Sequence, residues 1–133
     1  MFDKEKALSF EGDSGPYLQY TYARIQSVLK KAADAGVNAD PTNAPDSAYE
    51  VEKMIERFPH VIEKALAERA PHVVATYLTE LASEFNSFYA AEKIAVSPEI
   101  DQYSPYKTAM SQVVALTLRR GLWALGIEAP ERM

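Results

Sequence analysis

Cysteine is absent from this 133-residue sequence, which excludes disulfides and thiolate chemistry and is typical of a reducing compartment. No apolar run approaches the roughly 20 residues that a membrane-spanning helix requires. No secretory signal precedes the first predicted helix. We therefore expect a cytoplasmic protein without a membrane partner, and the length predicts one domain with one hydrophobic core.

Recognisable catalytic and metal-binding motifs are also missing. Gly12 and Gly15 are not followed by the Lys-Ser/Thr pair of a phosphate-binding loop. The only two histidines, His60 and His72, lack the spacing of metal ligands, and no Glu-x-x-His motif of a di-metal bundle is present. No side chain stands in a recognisable nucleophile arrangement. We expect no catalysis, no metal and no cofactor within these 133 residues.

The hydrophobic pattern contains no strand alternation of any length, so it predicts an all-α fold, an irregular helical bundle. Pro16 in a first turn and Gly36 at an end delimit one long helix. The S-x-x-E pattern that starts at Ser47 predicts a helix beginning there, and Pro59 should interrupt it. The predicted helices are a short one over residues 2–10, then 16–35, 47–58, 60–69, 71–93 and 104–125, with loops at 37–45 and 96–103.

Three of these helices carry an apolar stripe at helical spacing. The expected core residues are Leu18, Tyr22, Ile25, Leu29 and Ala32, then Val74, Tyr77, Leu78, Leu81, Phe85 and Phe88, and finally Val114, Leu118, Leu122 and Leu125. Leu116 and Trp123 form a second apolar strip on the last helix. This strip predicts that the last helix lies in the middle of the bundle. For Trp123 it favours a core position, and the alternative is a contact with a partner.

The net charge of −5 is unevenly distributed. Residues 16–33 and 104–127 each contain three basic and no acidic residues, so 8 basic and 19 acidic residues remain elsewhere. If the two helices lie side by side, they form a basic surface on an acidic protein, as a nucleic-acid partner would require. In the alternative, the acids of these two helices happen to lie elsewhere in the chain and the pattern has no functional meaning.

Aromatic and basic side chains share one side of the first long helix. Tyr17, Tyr20, Arg24 and Lys31 lie roughly opposite its core stripe. Single-stranded nucleic acid is bound by stacking bases on such groups, at about 1–3 kcal/mol per base, while cations hold the backbone. In the alternative, one tyrosine packs under the loop at 37–45 and Arg24 pairs with an acid.

Three separated motifs, at residues 6–24 (KALSFEGDSGPYLQYTYAR), 77–89 (YLTELASEFNSFY) and 125–133 (LGIEAPERM), carry a family resemblance. Together they resemble the C-terminal, DALR-type anticodon-binding domain of arginyl-tRNA synthetases, and the match extends over nearly the whole chain. The resemblance implies the irregular helical bundle of class I synthetase anticodon-binding domains, one domain over residues 1–133, in which 1–14 are the linker helix and loop from a catalytic domain. It also implies that the final Glu-Arg-Met is the end of the parent enzyme.

The resemblance further implies the partners. This domain would bind the anticodon stem-loop of arginine tRNA, and not DNA, and would be attached to the synthetase catalytic domain. Neither catalytic signature of the family occurs in the chain. The parent protein would therefore be the enzyme, an arginine–tRNA ligase, and its ATP and Mg²⁺ would be bound by the catalytic domain.

The candidate site residues come from both lines of argument. Tyr17, Tyr20 and Arg24 match the anticodon-proximal helix of the family and are also selected by the helical pattern, whereas the resemblance alone implies Tyr89 and Met133. The candidate phosphate contacts are Lys30, Lys31, Arg119 and Arg120. The rival hypothesis is a helical protein-interaction module that uses Tyr17, Tyr20 and Tyr89 as an aromatic hot spot.

Overall fold

The computed structural model describes residue 4, residues 15–92, residue 94 and residues 100–133. The described part of the chain forms five α-helices and no strand, which confirms the all-α prediction. The helices are α1 (Gly15–Asp34), α2 (Glu50–Glu56), α3 (Phe58–Glu68), α4 (Pro71–Glu92) and α5 (Ser104–Ala124). None of the described helices is long and apolar enough to cross a membrane. Apart from residue 4, the predicted helix over 2–10 and the linker at 1–14 lie outside the described residues, as do residues 96–99 of the predicted loop at 96–103.

Helices α1 and α5 end as their glycines predict. Gly36 and Gly126 both have φ +76°, the left-handed conformation that glycine adopts without steric cost. After each glycine the backbone N–H binds a carbonyl of the last helical turn, from Val37 to Ala32 and from Ile127 to Leu122, both at 2.9 Å. The second of these turns sets the direction of the C-terminal residues.

The start of α2 differs from the prediction. The helix begins at Glu50 rather than at Ser47, and Tyr49 is its N-cap residue. The carboxylate of Glu52, not that of Glu50, accepts the hydrogen bond from the Tyr49 N–H, at 2.6 Å. The Tyr49 ring also packs edge-on against Phe88, with ring centroids 4.9 Å apart. The predicted capping pattern was therefore displaced by two residues, because tertiary packing holds Tyr49 at the helix entry. The predicted interruption at Pro59 is confirmed.

The core is built on α1, α4 and α5, and α5 packs against α1, α2 and α4. All six residues of the predicted α4 stripe are buried. On α1, Val28 is buried and the predicted core residue Leu29 is only partly buried. Leu125, which directly follows α5, is also only partly buried. Side-by-side packing of α1 and α5, which contain most of the two acid-free stretches 16–33 and 104–127, is confirmed.

The prediction that Leu116 and Trp123 are core residues is wrong. Their side chains are 52% and 79% exposed. Small polar residues occupy much of the buried side of α5 instead, and their hydroxyls are satisfied within the helix. Thr108 donates to the Ser104 carbonyl at 2.8 Å and Ser111 to the Lys107 carbonyl at 2.9 Å. Because these hydroxyls need no other partner, they are buried without an unpaired polar group.

Lys107 does not contribute to the basic surface that the charge distribution predicts. Its side chain is buried, and its Nζ lies 3.1 Å from Asp101 Oδ2 and 3.2 Å from Glu92 Oε2. Burial opposes the charge of Lys107, but the hydrogen bonds to Asp101 and Glu92 outweigh it and raise its pKa above the ordinary value. For Asp101, slight burial is outweighed by the hydrogen bonds from Lys107 and Tyr103, and its pKa is lowered. This ion cluster ties the end of α4 to the start of α5.

We predict that Lys107→Met lowers the free energy of unfolding by about 2 kcal/mol at pH 7, the scale of hydrogen bonds to charged groups. The depressed pKa of Asp101 means that its contribution is present above about pH 4 and is lost as the pH falls through its folded value. The raised pKa of Lys107 means that its contribution is present below about pH 10.5 and is lost as the pH rises. The deficit of the variant should thus shrink below pH 4.

Urea unfolding at pH 7 and pH 3 measures this difference. The control is Lys53→Met, because Lys53 pairs with Glu50 at 2.6 Å on the exposed surface of α2 and such pairs contribute at most about 1 kcal/mol. An equal loss of stability at both pH values would contradict the assignment to the ion cluster.

Candidate nucleic-acid interface

A groove of about 570 Å³ runs between α1, the end of α4 and the C-terminal residues. We refer to it as the α1 groove. It is formed by three parts of the chain that are far apart in sequence. Its lining residues are Tyr20, Ala23, Arg24, Ser27, Val28, Lys31, Tyr89, Glu131, Arg132 and Met133. Three of them are basic and one is acidic, so the α1 groove is positive on a chain whose net charge is −5.

Five of the nine predicted RNA contacts line the α1 groove: Tyr20, Arg24, Lys31, Tyr89 and Met133. The first three come from α1 and Tyr89 from the last turn of α4. The rings of Tyr20 and Tyr89 are both reachable from the groove, and the Tyr20 side chain is 46% exposed. The fold thus assembles an aromatic and basic surface from residues up to 113 positions apart.

The other four predicted contacts do not line the α1 groove. Tyr17 is partly buried against the core, which differs from the exposed position expected on the helical pattern. Lys30 is exposed and its ammonium lies 3.5 Å from the carboxylate of Asp34. Arg119 and Arg120 line a separate depression on α5, together with Leu116 and Trp123.

Arg24 and Tyr89 contact each other across α1 and α4. The guanidinium carbon of Arg24 lies 4.7 Å from the centroid of the Tyr89 ring, a cation–π arrangement. Behind it, the Tyr89 ring is stacked near Phe85, which is fully buried, with an interplanar angle of 20°. One side of Tyr89 is therefore supported by the core and another by a cation, which restricts the rotation of its ring.

Asn86 organises this part of the groove, and the sequence reasoning did not select it. Its Oδ1 accepts a hydrogen bond from Arg24 Nη1 at 3.0 Å. Its Nδ2 donates to the Tyr17 hydroxyl at 3.1 Å and lies 3.5 Å from Thr21 Oγ1. The predicted alternative for Arg24 was a carboxylate, but the guanidinium binds this neutral amide instead. The available signal was the spacing, since Asn86 precedes Tyr89 by three residues and therefore shares its side of α4.

The C-terminal residues are attached to α1 beside the groove. Gln19 Nε2 donates a hydrogen bond to the carbonyl of Glu128 at 2.9 Å. Ile127 and Ala129 pack against the core. These contacts place the last three residues in the groove lining, with the Met133 side chain 60% exposed.

The described ranges contain no candidate metal site. No group of three or more His, Asp or Glu side chains in them is arranged to hold a metal ion.

Comparison with known proteins identifies the class of this fold. The helical bundle superposes on an arginyl-tRNA synthetase of Thermus thermophilus with a TM-score of 0.78 and 36% identity, over 99% of this chain and 23% of that one. An arginyl-tRNA synthetase of Plasmodium falciparum has the same TM-score and coverage at 23% identity, which supports the fold alone. The class is therefore that of the helical domains of aminoacyl-tRNA synthetases.

The sequence defines the family more narrowly. The family model described as the DALR anticodon binding domain matches residues 18–133, and the chain belongs to this family. The arginine–tRNA ligase of Streptococcus pneumoniae (strain Hungary19A-6) is 41% identical over 134 residues, which is 99% of this chain and 23% of the ligase. The chain thus spans about a quarter of the length of this relative. The family expected from the three motifs is confirmed.

The Arg24–Asn86 hydrogen bond predicts a measurable coupling. In a double-mutant cycle of Arg24→Met and Asn86→Ala, the two losses of unfolding free energy should differ from additivity by about 0.5–2 kcal/mol, because each variant removes the same bond. The control pairs Arg24→Met with Asn43→Ala, since Asn43 bonds to the carbonyl of Gln102 in another part of the structure. Strictly additive losses in both cycles would show that the bond contributes nothing to stability.

Proposed function

We propose that this chain is the anticodon-binding domain of an arginine–tRNA ligase and that the α1 groove receives the anticodon loop of arginine tRNA. The observation that carries the proposal is the convergence of Tyr20, Arg24, Lys31, Tyr89 and Met133 on one positive groove in a member of the DALR family. The domain itself performs no chemistry in this proposal. Arginine activation, with its ATP and Mg²⁺, belongs to a catalytic domain of the parent enzyme, which works in the cytoplasm.

The α1 groove has the groups that unpaired RNA requires. Tyr20 supplies a ring face for base stacking, Tyr89 holds the Arg24 guanidinium beside it, and Lys31 and Arg132 supply charges for the backbone phosphates. Arg24 is already held by Asn86 and Tyr89, so little side-chain entropy remains to be lost when RNA binds. Lys30 stays a candidate phosphate contact, because exposed pairs such as Lys30–Asp34 are weak. Tyr17 does not contact the RNA in this proposal but helps to position Asn86, which donates a hydrogen bond to its hydroxyl.

Stacking on tyrosine does not distinguish one base from another, so recognition of the middle cytosine that arginine anticodons share requires hydrogen bonds to the base edge. Arg24 and Ser27 supply side-chain donors inside the groove, and the backbone of residues 131–133 supplies both donors and acceptors. We assign base selection to these groups. The Met133 side chain provides an apolar contact beside them.

Replacing Tyr20 by Ala in the parent ligase tests the proposal. Loss of one stacking platform of about 1–3 kcal/mol should raise the dissociation constant for arginine tRNA by about 5- to 150-fold. The control is Tyr103→Ala, because Tyr103 is a partly exposed tyrosine that does not line the α1 groove. A correctly folded Tyr20→Ala enzyme with unchanged tRNA affinity would contradict the proposal.

The salt dependence of binding separates this function from the rival one. If the α1 groove binds RNA, the affinity for arginine tRNA should fall steeply as salt rises from low to physiological concentration, because bound phosphates release counterions. A protein partner held by an aromatic hot spot should be affected little over the same range. Filter binding or fluorescence anisotropy at four or five salt concentrations measures the slope.

A further inference from the structure

The outer face of α5 carries four side chains on one stripe. Leu116, Arg119, Arg120 and Trp123 follow the spacing i, i+3, i+4 and i+7, which places them on a single side of a helix. All four are exposed and line a depression of about 260 Å³. This surface, which we call the α5 face, shares no residue with the α1 groove.

The cations of the α5 face have no counter-charge among the described side chains. Helix α5 contains no Asp or Glu in 21 residues. Within the residues for which the structure gives side chains, Arg119 and Arg120 form no ion pair and no hydrogen bond. The carboxylates that do approach α5, those of Asp101, Glu92 and Glu52, are bound to Lys107 and Tyr106. The two guanidinium groups are therefore available to an external anion.

Trp123 adds an aromatic plane to these charges. It is the only tryptophan in the chain and its side chain is 79% exposed. An indole left in water forgoes the favourable free energy of burying it, and aromatic side chains with such exposure are typical of interaction sites. An indole flanked by two guanidinium groups matches the combination that holds the backbone and bases of RNA.

We propose that the α5 face is a second RNA-binding surface, which holds the sugar-phosphate backbone of the tRNA outside the anticodon loop. Arg119 and Arg120 bind phosphates, for which the guanidinium group is well suited because of its planar, bidentate geometry. Trp123 packs against a ribose or a base. This inference rests on the proposed function, since it assumes that the same tRNA occupies the α1 groove.

RNA fits the α5 face better than a protein surface does. A protein partner would have to bring carboxylates to neutralise Arg119 and Arg120, whereas RNA carries a phosphate at every nucleotide. Helix α5 also packs against α1, so the α5 face and the α1 groove belong to neighbouring helices of one bundle.

The test is the salt dependence of arginine tRNA binding to the full-length ligase that carries Arg119→Gln and Arg120→Gln. Each lost phosphate contact should reduce the slope of log Kd against log salt by about 0.7–1, so the double variant should lose about 1.5–2. Trp123→Ala should weaken binding about 5-fold or more with an unchanged slope, because it removes stacking and no charge. The control is Lys53→Gln, whose cation is already paired with Glu50 and which should leave both quantities unchanged.

The Tyr20→Ala enzyme, assayed in parallel, distinguishes the possible failures. If Tyr20→Ala weakens binding but the arginine variant changes neither affinity nor slope, the α5 face does not touch the RNA and this inference is overturned. If the arginine and Trp123→Ala variants lower the melting temperature of the ligase without altering the slope, the α5 face packs against protein, and the inference is overturned as well. If tRNA binding is insensitive to all these variants, both the proposed function and the inference about the α5 face are overturned.

Discussion

The side-chain amide of Asn86 fixes the relation between α4 and α1 on which the candidate site depends. Its oxygen and nitrogen have different partners on α1, Arg24 on one side and Tyr17 on the other. An amide can satisfy both only in one orientation, so the register of the two helices and the position of Arg24 are determined together. Tyr89, one turn further along α4, then finds the guanidinium of Arg24 over its ring. One polar side chain next to the core thus binds two residues of the opposite helix in the groove wall.

Electrostatics divides the molecule into a structural and a binding part. The ion cluster of Lys107, Glu92 and Asp101 serves stability, because it joins the end of α4 to the start of α5. Five further cations line the two candidate surfaces: Arg24, Lys31 and Arg132 line the α1 groove, and Arg119 and Arg120 line the α5 face. A negatively charged protein can bind a polyanion in this way, because screening confines each interaction to about 10 Å.

Periodicity predicted the helices and most of the core, since the stripe on α4 is buried along its whole length. It failed on α5, where polar residues are buried and an apolar residue is exposed, and at the start of α2. Trp123 is exposed because hydroxyl residues such as Thr108 and Ser111 can be buried on α5 by bonding to the preceding turn. Ser47 does not cap α2 because the packing of Tyr49 against Phe88 determines the helix entry. Local sequence contains no information about the tertiary contact between Tyr49 and Phe88.

The sequence predicted most of the residues that line the candidate site but not the contacts that bring them together. The aromatic and basic pattern of α1 indicated Tyr20, Arg24 and Lys31, and the family resemblance added Tyr89 and Met133. No helical pattern could show that the residues after Gly126 return to α1, since this depends on the bond between Gln19 and the Glu128 carbonyl. Asn86 was missed for a similar reason, because a polar residue at the edge of a buried stripe becomes informative only when its partners on another helix are known.

Base recognition by the α1 groove is the central claim, and a binding titration of this domain tests it most directly. A fluorescent stem-loop with an arginine anticodon is titrated at low salt beside a stem-loop whose middle cytosine is replaced. The account predicts tighter binding of the cytosine-containing loop, and loss of that preference in Arg24→Met. Equal affinity for the two stem-loops, or no binding of either, would contradict the assignment of anticodon recognition to the α1 groove.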